Sequence, residues 1–392
     1  MKAIVLGMGL QGKAVIHDLE KSDLISKIFA ADINLDNAQA YLKKMGYSKT
    51  EVFKLDVSQD KNLAGTYSKM GVDIVICMLP IELALTAAKA AMNAGIPFVS
   101  SNYTYQLQEL DTLAKEKNCI ILPEMGLDPG IDLVLGRMAV DQLDQVYGLY
   151  SYGGGIPAPE CADDNPIRYK ISWIFDRVLA VYTREARLLK EGKAYIVPGD
   201  EIFKPENVHE IGFSGIGTVE AYPNGDAERY VEIFGLGKNL VDMGRFALRW
   251  PGHSKFWYKM VKLGLLSDTP ISGTDTAISP RSFLTQWLTP RLQYTNKQQD
   301  LALLRIEAWG IKDNRKIKVI YDLVDYRDLP TGLFAMNRTV GFTSSIGAQM
   351  ILEGKISGAG VLSPVRHVPP EPFVEEIKKR GMRIDHHTEE MA

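Results

Sequence analysis

A chain of 392 residues, 46% apolar and 24% charged, with a formal net charge of −3, has the composition of about two globular domains. That balance excludes a disordered chain, offers no basic surface for nucleic acid, and contains nothing near the roughly 18 apolar residues of a membrane span. Three widely spaced cysteines and six histidines without metal-ligand spacing fit neither a disulfide framework nor a metal site, so we expect a cytoplasmic protein with no metal and no membrane partner.

The start, KAIVLGMGLQG, reads as strand, tight turn and helix. Gly7 permits the turn, Gly9 lets backbone approach a pyrophosphate, and Gly12 lets the helix pack close to the strand, with the phosphates on the helix N-terminus. A second apolar strand, 28–31, ends in Asp32, where a carboxylate accepts from ribose hydroxyls and repels a 2′-phosphate. No arginine follows it in DINLDNA, so the sequence reads as NAD-binding, with NADP the lesser fit.

Further along, a polar helix covers 35–44 and a short strand runs into Asp56. The apolar run 72–78 is stopped by Pro80, and an Ala-rich helix follows over 82–93. Strands at 98–99 and 119–122 flank another helix, 106–117. Five to six strands alternating with helices predict a doubly wound parallel sheet of the Rossmann type, in which ligands bind beyond the carboxyl ends of the strands. Gly7 to Gly12, Asp32, Asp56, Pro80, Ser101 to Tyr103 and Glu124 to Asp128 all fall at such ends.

From about Leu127 the texture changes. DPGID opens a helix to about Val140, with Asp128 near its N-terminus, where capping alone would justify a carboxylate. A strand at 147–152 leads into GGGIPAP, read as a turn-rich loop, and a helix is predicted near 174–189. Strands are predicted at 211–222 and 245–250, and 301–309, 312–315 and 317–324 read as a hairpin. The stretch 266–280 is the nearest to a linker. Helices at 344–353 and 370–379 close the chain, and the apolar face of the former needs a surface, which the first domain offers. The expected organisation is therefore a Rossmann domain over 1–127, completed by 344–392, and an α+β domain with a mixed or antiparallel sheet over 128–343.

Taken together these blocks resemble the saccharopine dehydrogenase family, specifically its glutamate-forming branch. The resemblance rests on GMGLQG, then GLDPGID at 126–132, YGGGIPAPE at 152–160 and DNPIRYKISW at 164–173. It continues with YPNGDAERYVEIFGL at 222–236, LRWPGH at 248–253 and LEGKISGAGVLSP at 352–364. Related lysine 6-dehydrogenases share the opening but match less well through DNPIRYKISW and YPNGDAERY.

The resemblance implies oxidation of a carbon–nitrogen bond in an amino-acid-derived amine, with hydride passing to nicotinamide and the imine then hydrolysed. It implies a homodimer as well. By the same resemblance Gly9, Leu10, Gly12, Asp32, Ser101, Leu127, Asp128 and Ser172 hold or border the cofactor, Asp128 also faces the substrate amine, and Asn102 stands beside it. Arg168, Arg229 and Arg249 are the cations expected to bind substrate carboxylates. Three departures stand out: Gly153 to Gly155 replace a CGG, Gly225 replaces an arginine, and Asn102 stands where the family has tyrosine, with Tyr103 next.

A carboxylate at a helix N-terminus has a lowered pKa, which makes Asp128 an orienting anion for an ammonium and leaves proton transfer to Tyr103 or water. Saccharopine, lysine itself with allysine and ammonia as products, and another N-(carboxyalkyl) amine remain open as substrates. A non-catalytic NAD-binding redox sensor is the alternative from another class.

Overall fold

The structure is a computed structural model describing all residues except 238, 272, 274–276 and 392. Four of these fall in the stretch read as a linker, 266–280, so that part of the reading lies outside the described residues.

The chain opens with β1 (Lys2–Leu6), α1 (Leu10–Glu20), β2 (Lys27–Asp32), α2 (Leu35–Met45), β3 (Thr50–Lys54) and α3 (Leu63–Met70). Then come β4 (Ile74–Cys77), α4 (Ile81–Asn93), β5 (Phe98–Ser100), α5 (Asp111–Glu116), β6 (Ile120–Leu122) and α6 (Ile131–Val140). Local sequence accounts for much of this. Strands β4 and β5 are buried at every residue, as short apolar runs covered on both faces must be. Helix α2 starts on Asn34, whose side chain accepts from the Asn37 N–H, and ends on Gly46 in the left-handed region. Helix α4 buries Ala84, Ala87, Ala88 and Ala91, small residues that allow close packing.

Next come β7 (Gln145–Pro157), α7 (Pro159–Ala162), α8 (Phe175–Val181), β8 (Ala186–Lys190), β9 (Lys193–Val197) and β10 (His209–Phe213). They are followed by β11 (Gly217–Pro223), α9 (Tyr230–Ile233), β12 (Asp242–Arg249), α10 (His253–Lys262), α11 (Pro280–Leu288), β13 (Asp300–Lys312) and β14 (Arg315–Tyr326). The β13–β14 hairpin turns on Asp313 and Asn314, both at positive φ, the requirement of a tight turn that matches strand twist.

Three predictions fail here, the first being the strand expected at 211–222, which is an antiparallel hairpin of β10 and β11 turned at Gly215 and Gly217, both at positive φ. The triple glycine is strand, not loop. A Cβ at Gly154 would press on the Leu248 backbone, and one at Gly155 would run into Met336, so these glycines serve close packing within β7. The long helix expected at 174–189 stops at Val181, and 186–190 pairs with β9 across a turn at Glu191 and Gly192, both at positive φ.

The chain finishes with α12 (Ala335–Leu352), β15 (Gly360–Val361), α13 (Pro364–His367), α14 (Pro370–Lys379) and β16 (Arg383–Glu390). Two compact units result. One comprises Met1–Leu135 with Asn337–Gly381, the other Gly136–Met336 with Met382–Ala392. The first unit carries a seven-stranded sheet, all of its pairings parallel, in the order β15-β6-β5-β4-β1-β2-β3. This doubly wound sheet gains its seventh strand from the returning chain. Close contacts seat α12 in this unit: a Cβ at Gly341 would stand 2.6 Å from that of Ala14, and Ser344 donates to the Met125 carbonyl at 2.6 Å.

The second unit carries a mixed nine-stranded sheet whose main path is β10-β11-β12-β7-β13-β14-β16. Its one parallel pairing, β7 with β12, sits among antiparallel ones. A core of Tyr152, Ile156, Tyr182, Phe203, Tyr222, Leu248 and Trp257, among others, packs this unit. No described helix is long and apolar enough to cross a membrane, and the described residues hold no cluster fit for a metal ion.

Candidate active site

In the first unit, the turn between β1 and α1 has the shape a dinucleotide requires. Gly7 sits at φ +92°, and its N–H donates to the Ala31 carbonyl at 2.8 Å, tying the turn to β2. Gly9 is the N-cap of α1, and a Cβ there would meet nothing within 4 Å, which leaves open space over the helix N-terminus. Gly12 tolerates no side chain, because a Cβ would collide with the Gly7 carbonyl oxygen. Leu10, the first residue of α1, is exposed beside that space.

Asp32 closes β2, and its carboxylate organises the same turn. One oxygen accepts from the Met8 N–H at 2.6 Å, the other from the Asn34 N–H at 2.8 Å. Lys13, from α1, is within electrostatic reach of both Asp32 and Lys44, although burial is the main influence on it and lowers its pKa. The missing arginine after Asp32 therefore does not leave this corner without cations. Asp56 lies past β3 in an exposed turn, where Ser58 donates to it from hydroxyl and backbone at 2.6 and 2.9 Å and holds its pKa low.

At the ends of β5 and β6 two loops are laced together. Glu124 donates from its N–H to the Asn102 carbonyl and Met125 to that of Ser100, each at 2.9 Å. The Asn102 amide donates to the Leu79 carbonyl at 3.1 Å. A Cβ at Gly126 would stand 3.4 Å from that of Ser101, so the loop carrying Leu127 and Asp128 lies against Ser101. Asp128 precedes a cis Pro129, and at the start of α6 Asp132 accepts from the Gly130 N–H at 2.7 Å. Tyr103 packs on Tyr105 with ring centroids 5.1 Å apart. Ser101, Asn102, Leu127 and Asp128 thus share one corner of the first unit.

In the second unit the register of β7 and β12 sets Ser151 beside Arg245 and Gly153 beside Ala247. Alternation places Arg245, Ala247 and Arg249 on the face of β7 that bears Ser151, Gly153 and Gly155. Ser172 borders this strip, its hydroxyl 3.1 Å from where a Gly155 Cβ would be. Arg249 is partly buried above Tyr169, 5.5 Å from its ring, and donates to the Leu248 carbonyl at 2.7 Å. Among the described residues no carboxylate pairs with it. Glu220, its neighbour across the ladder, is committed to the N–H groups of Gly252 and Ser254 at the start of α10.

Burial disfavours the charge of Arg249, yet Tyr222, Tyr182 and Tyr169 outweigh that and raise its pKa. The Tyr182 hydroxyl lies 2.9 Å from Nε2 of His253. Burial, reinforced by Arg249, pushes His253 well below its ordinary pKa and keeps it neutral.

Of the other predicted cations, Arg168 lies 5.0 Å from the Trp250 ring and is already paired with Asp163 at 2.7 Å. Arg229 is placed elsewhere, over Tyr230 at 5.1 Å, and shares that ring with Arg245 at 4.6 Å. Sequence reasoning passed over Tyr182, Tyr222, His253 and Arg245. Only the spacing of Arg249 and His253 within LRWPGH hinted at any of them.

Two family models match the chain in order, "Saccharopine dehydrogenase NADP binding domain" over 3–122 and "Saccharopine dehydrogenase C-terminal domain" over 126–382. The chain is similar to the mitochondrial alpha-aminoadipic semialdehyde synthase of Bos taurus, with 27% identity over 97% of this chain and 47% of that protein. It thus spans about half the length of that relative. It is also 26% identical to the saccharopine dehydrogenase [NADP(+), L-glutamate-forming] of Saccharomyces cerevisiae, over 96% of each. The solved apo saccharopine dehydrogenase (L-Glu forming) of that yeast has the same fold, with a TM-score of 0.85 at 24% identity and all of both chains covered.

Proposed function

The chain belongs to the saccharopine dehydrogenase family, and on that premise we propose that it is a nicotinamide-dinucleotide-dependent oxidoreductase acting on a CH–NH donor, with saccharopine as first substrate. The observation that carries the substrate reading is Arg249. It is a guanidinium without a carboxylate partner among the described residues, held by tyrosines on a glycine-lined face, and its planar fork suits a substrate carboxylate.

The Gly7–Gly12 turn and the N-terminus of α1 would hold the dinucleotide, whose nicotinamide would supply the hydride acceptor for the substrate carbon. Asp128 orients the substrate ammonium, and Tyr103 or a water carries the proton released from nitrogen. Water then adds to the carbon of the resulting imine, and the bond to nitrogen breaks to give an aldehyde and an amine.

The sequence argued for NAD, whereas the matching model and the yeast relative both carry NADP in their names. We take NADP as the first reading, because each oxygen of Asp32 already accepts one backbone N–H and Lys13 and Lys44 bring positive charge to that corner. Asp32 itself favours NAD, the second reading.

Purified protein incubated with saccharopine and either cofactor should yield glutamate and reduced cofactor, with NADP giving the higher kcat/KM. Lys13→Ala should raise the KM for NADP about tenfold and leave that for NAD nearly unchanged. Cofactor binding without turnover of saccharopine, lysine or related amines would leave the sensor alternative. We further propose a homodimer.

A further inference from the structure

Lys13 follows Gly12 on α1, its N–H donating to the Gly9 carbonyl at 3.1 Å, and among the described residues its side chain forms no ion pair. Its ammonium stands instead over the ring of Tyr41, 5.0 Å from the centroid. Tyr41 belongs to α2, whose buried residues are Ala38 and Leu42. Three residues past Ala38, it flanks that face and is itself half-buried.

The ring is fixed in turn. Tyr47, just past α2, meets Tyr41 edge-on, with centroids 6.0 Å apart and planes at 73°. The Tyr47 hydroxyl lies 2.5 Å from Nδ1 of His17, and the His17 ring stacks on Phe342 of α12 at 6.2 Å. His17 comes four residues after Lys13, on the same side of α1. The circuit from Lys13 through Tyr41 and Tyr47 to His17 therefore leaves α1, runs along α2 and returns to α1. Packing alone does not ask for a lysine here. An apolar side chain would cover the ring without drawing an ammonium partly out of water, and burial does lower the pKa of Lys13, against the pull of Asp32. A lysine on its flexible stem spreads its charge over many positions, whereas one held on a ring face keeps it at one.

We propose that Tyr41 is a positioning residue for the choice of cofactor: its ring face holds the Lys13 ammonium within reach of Asp32, so that a 2′-phosphate on the adenosine ribose meets a cation already ordered. This role rests on NADP as the first cofactor and is independent of the amine substrate.

Calorimetric titration of the full chain with NADP and with NAD tests it, with circular dichroism and melting temperature as controls for folding. Tyr41→Leu keeps an apolar filler but removes the ring face, and should weaken NADP binding roughly three- to tenfold while NAD changes by less than about twofold. Tyr41→Phe restores the face and should bind both cofactors as the wild type does. In a Lys13→Ala background, Tyr41→Leu should weaken NADP no further, since the two residues act through one contact. Lysine-labelled NMR of the cofactor-free protein gives a second readout: the Lys13 ε-methylene signals should lie upfield in the wild type and in Tyr41→Phe, and lose that shift in Tyr41→Leu. Equal weakening of NADP and NAD by Tyr41→Leu, additive losses in the double variant, or Lys13 signals indifferent to Tyr41→Leu would each overturn the proposal. A preference for NADP that Lys13→Ala abolishes and Tyr41→Leu leaves intact would sink the role of Tyr41 alone. A wild type that binds NADP no more tightly than NAD would instead sink the cofactor reading, and this role with it.

Discussion

Asp128 and Arg249 show how far one residue can be argued. Asp128 lies in the tight loop after β6, closed by the Gly126 N–H to Pro129 carbonyl bond at 2.9 Å. Asparagine there keeps volume and an acceptor, so melting should change little, by the equivalent of about 1 kcal/mol or less. Losing the charge that orients an ammonium should lower turnover roughly ten- to a hundredfold, with cofactor affinity unchanged. Calorimetry of cofactor binding beside steady-state kinetics checks both halves. Unchanged turnover with a large loss of melting temperature would make Asp128 structural. Arg249→Lys keeps a charge but loses the fork, and should raise the KM for the amine about tenfold with a smaller change in kcat. The glycines of the opening turn were legible because their chemistry is local. The tyrosines and His253 around Arg249 were not, since they come from separate helices and strands and share no spacing.

At the scale of elements, β7 and α12 carry the main lessons. The GGG segment reads as a loop by composition, and it is strand because Leu248 and Met336 leave no room for side chains. Helix α12 begins on a carboxylate that lies far away in sequence: Asp300 accepts from the N–H groups of Ala335 and Met336 at 2.8 and 3.2 Å. Burial pushes the Asp300 carboxyl up to about 6, and these backbone bonds oppose the shift. An unfolded aspartate titrates near ~3.9. Between those values the native chain holds a proton that the unfolded chain has lost. Stability from this group is therefore full below about pH 3.9 and declines as pH rises to about 6, by on the order of 2–3 kcal/mol. In Asp300→Asn that decline should vanish, and the difference between wild type and variant should change across this window and be flat above it. Urea unfolding of both proteins from pH 4 to pH 7 measures it, and parallel curves would refute the assignment.

For the whole molecule, the two units offer separate cores, each with its own sheet. A cofactor at the β1–α1 turn stabilises the state that binds it, by about 2.7 kcal/mol at a hundredfold excess over Kd. Hydrogen exchange with saturating NADP should therefore slow by up to about a hundredfold in β1, α1 and β2, with β7, β12 and β13 little changed. Equal protection of both sheets would contradict a cofactor site confined to the first unit's turn.

The sequence by itself determined the alternation of strands and helices, the dinucleotide turn, the β13–β14 hairpin and the family. Each of these rests on contacts between residues near one another in the chain, or on side-chain periodicity that an element imposes on its own residues. Only the tertiary structure decided that Gly153 to Gly155 lie in a strand, that Lys13 comes within electrostatic reach of Asp32, and that Asp300 caps α12. It alone showed Arg249 set over the Tyr169 ring, Tyr182 beside His253, and the last strand completing the second sheet rather than extending the first. These outcomes depend on which surfaces meet after the chain has folded back on itself, and no local spacing encodes that choice.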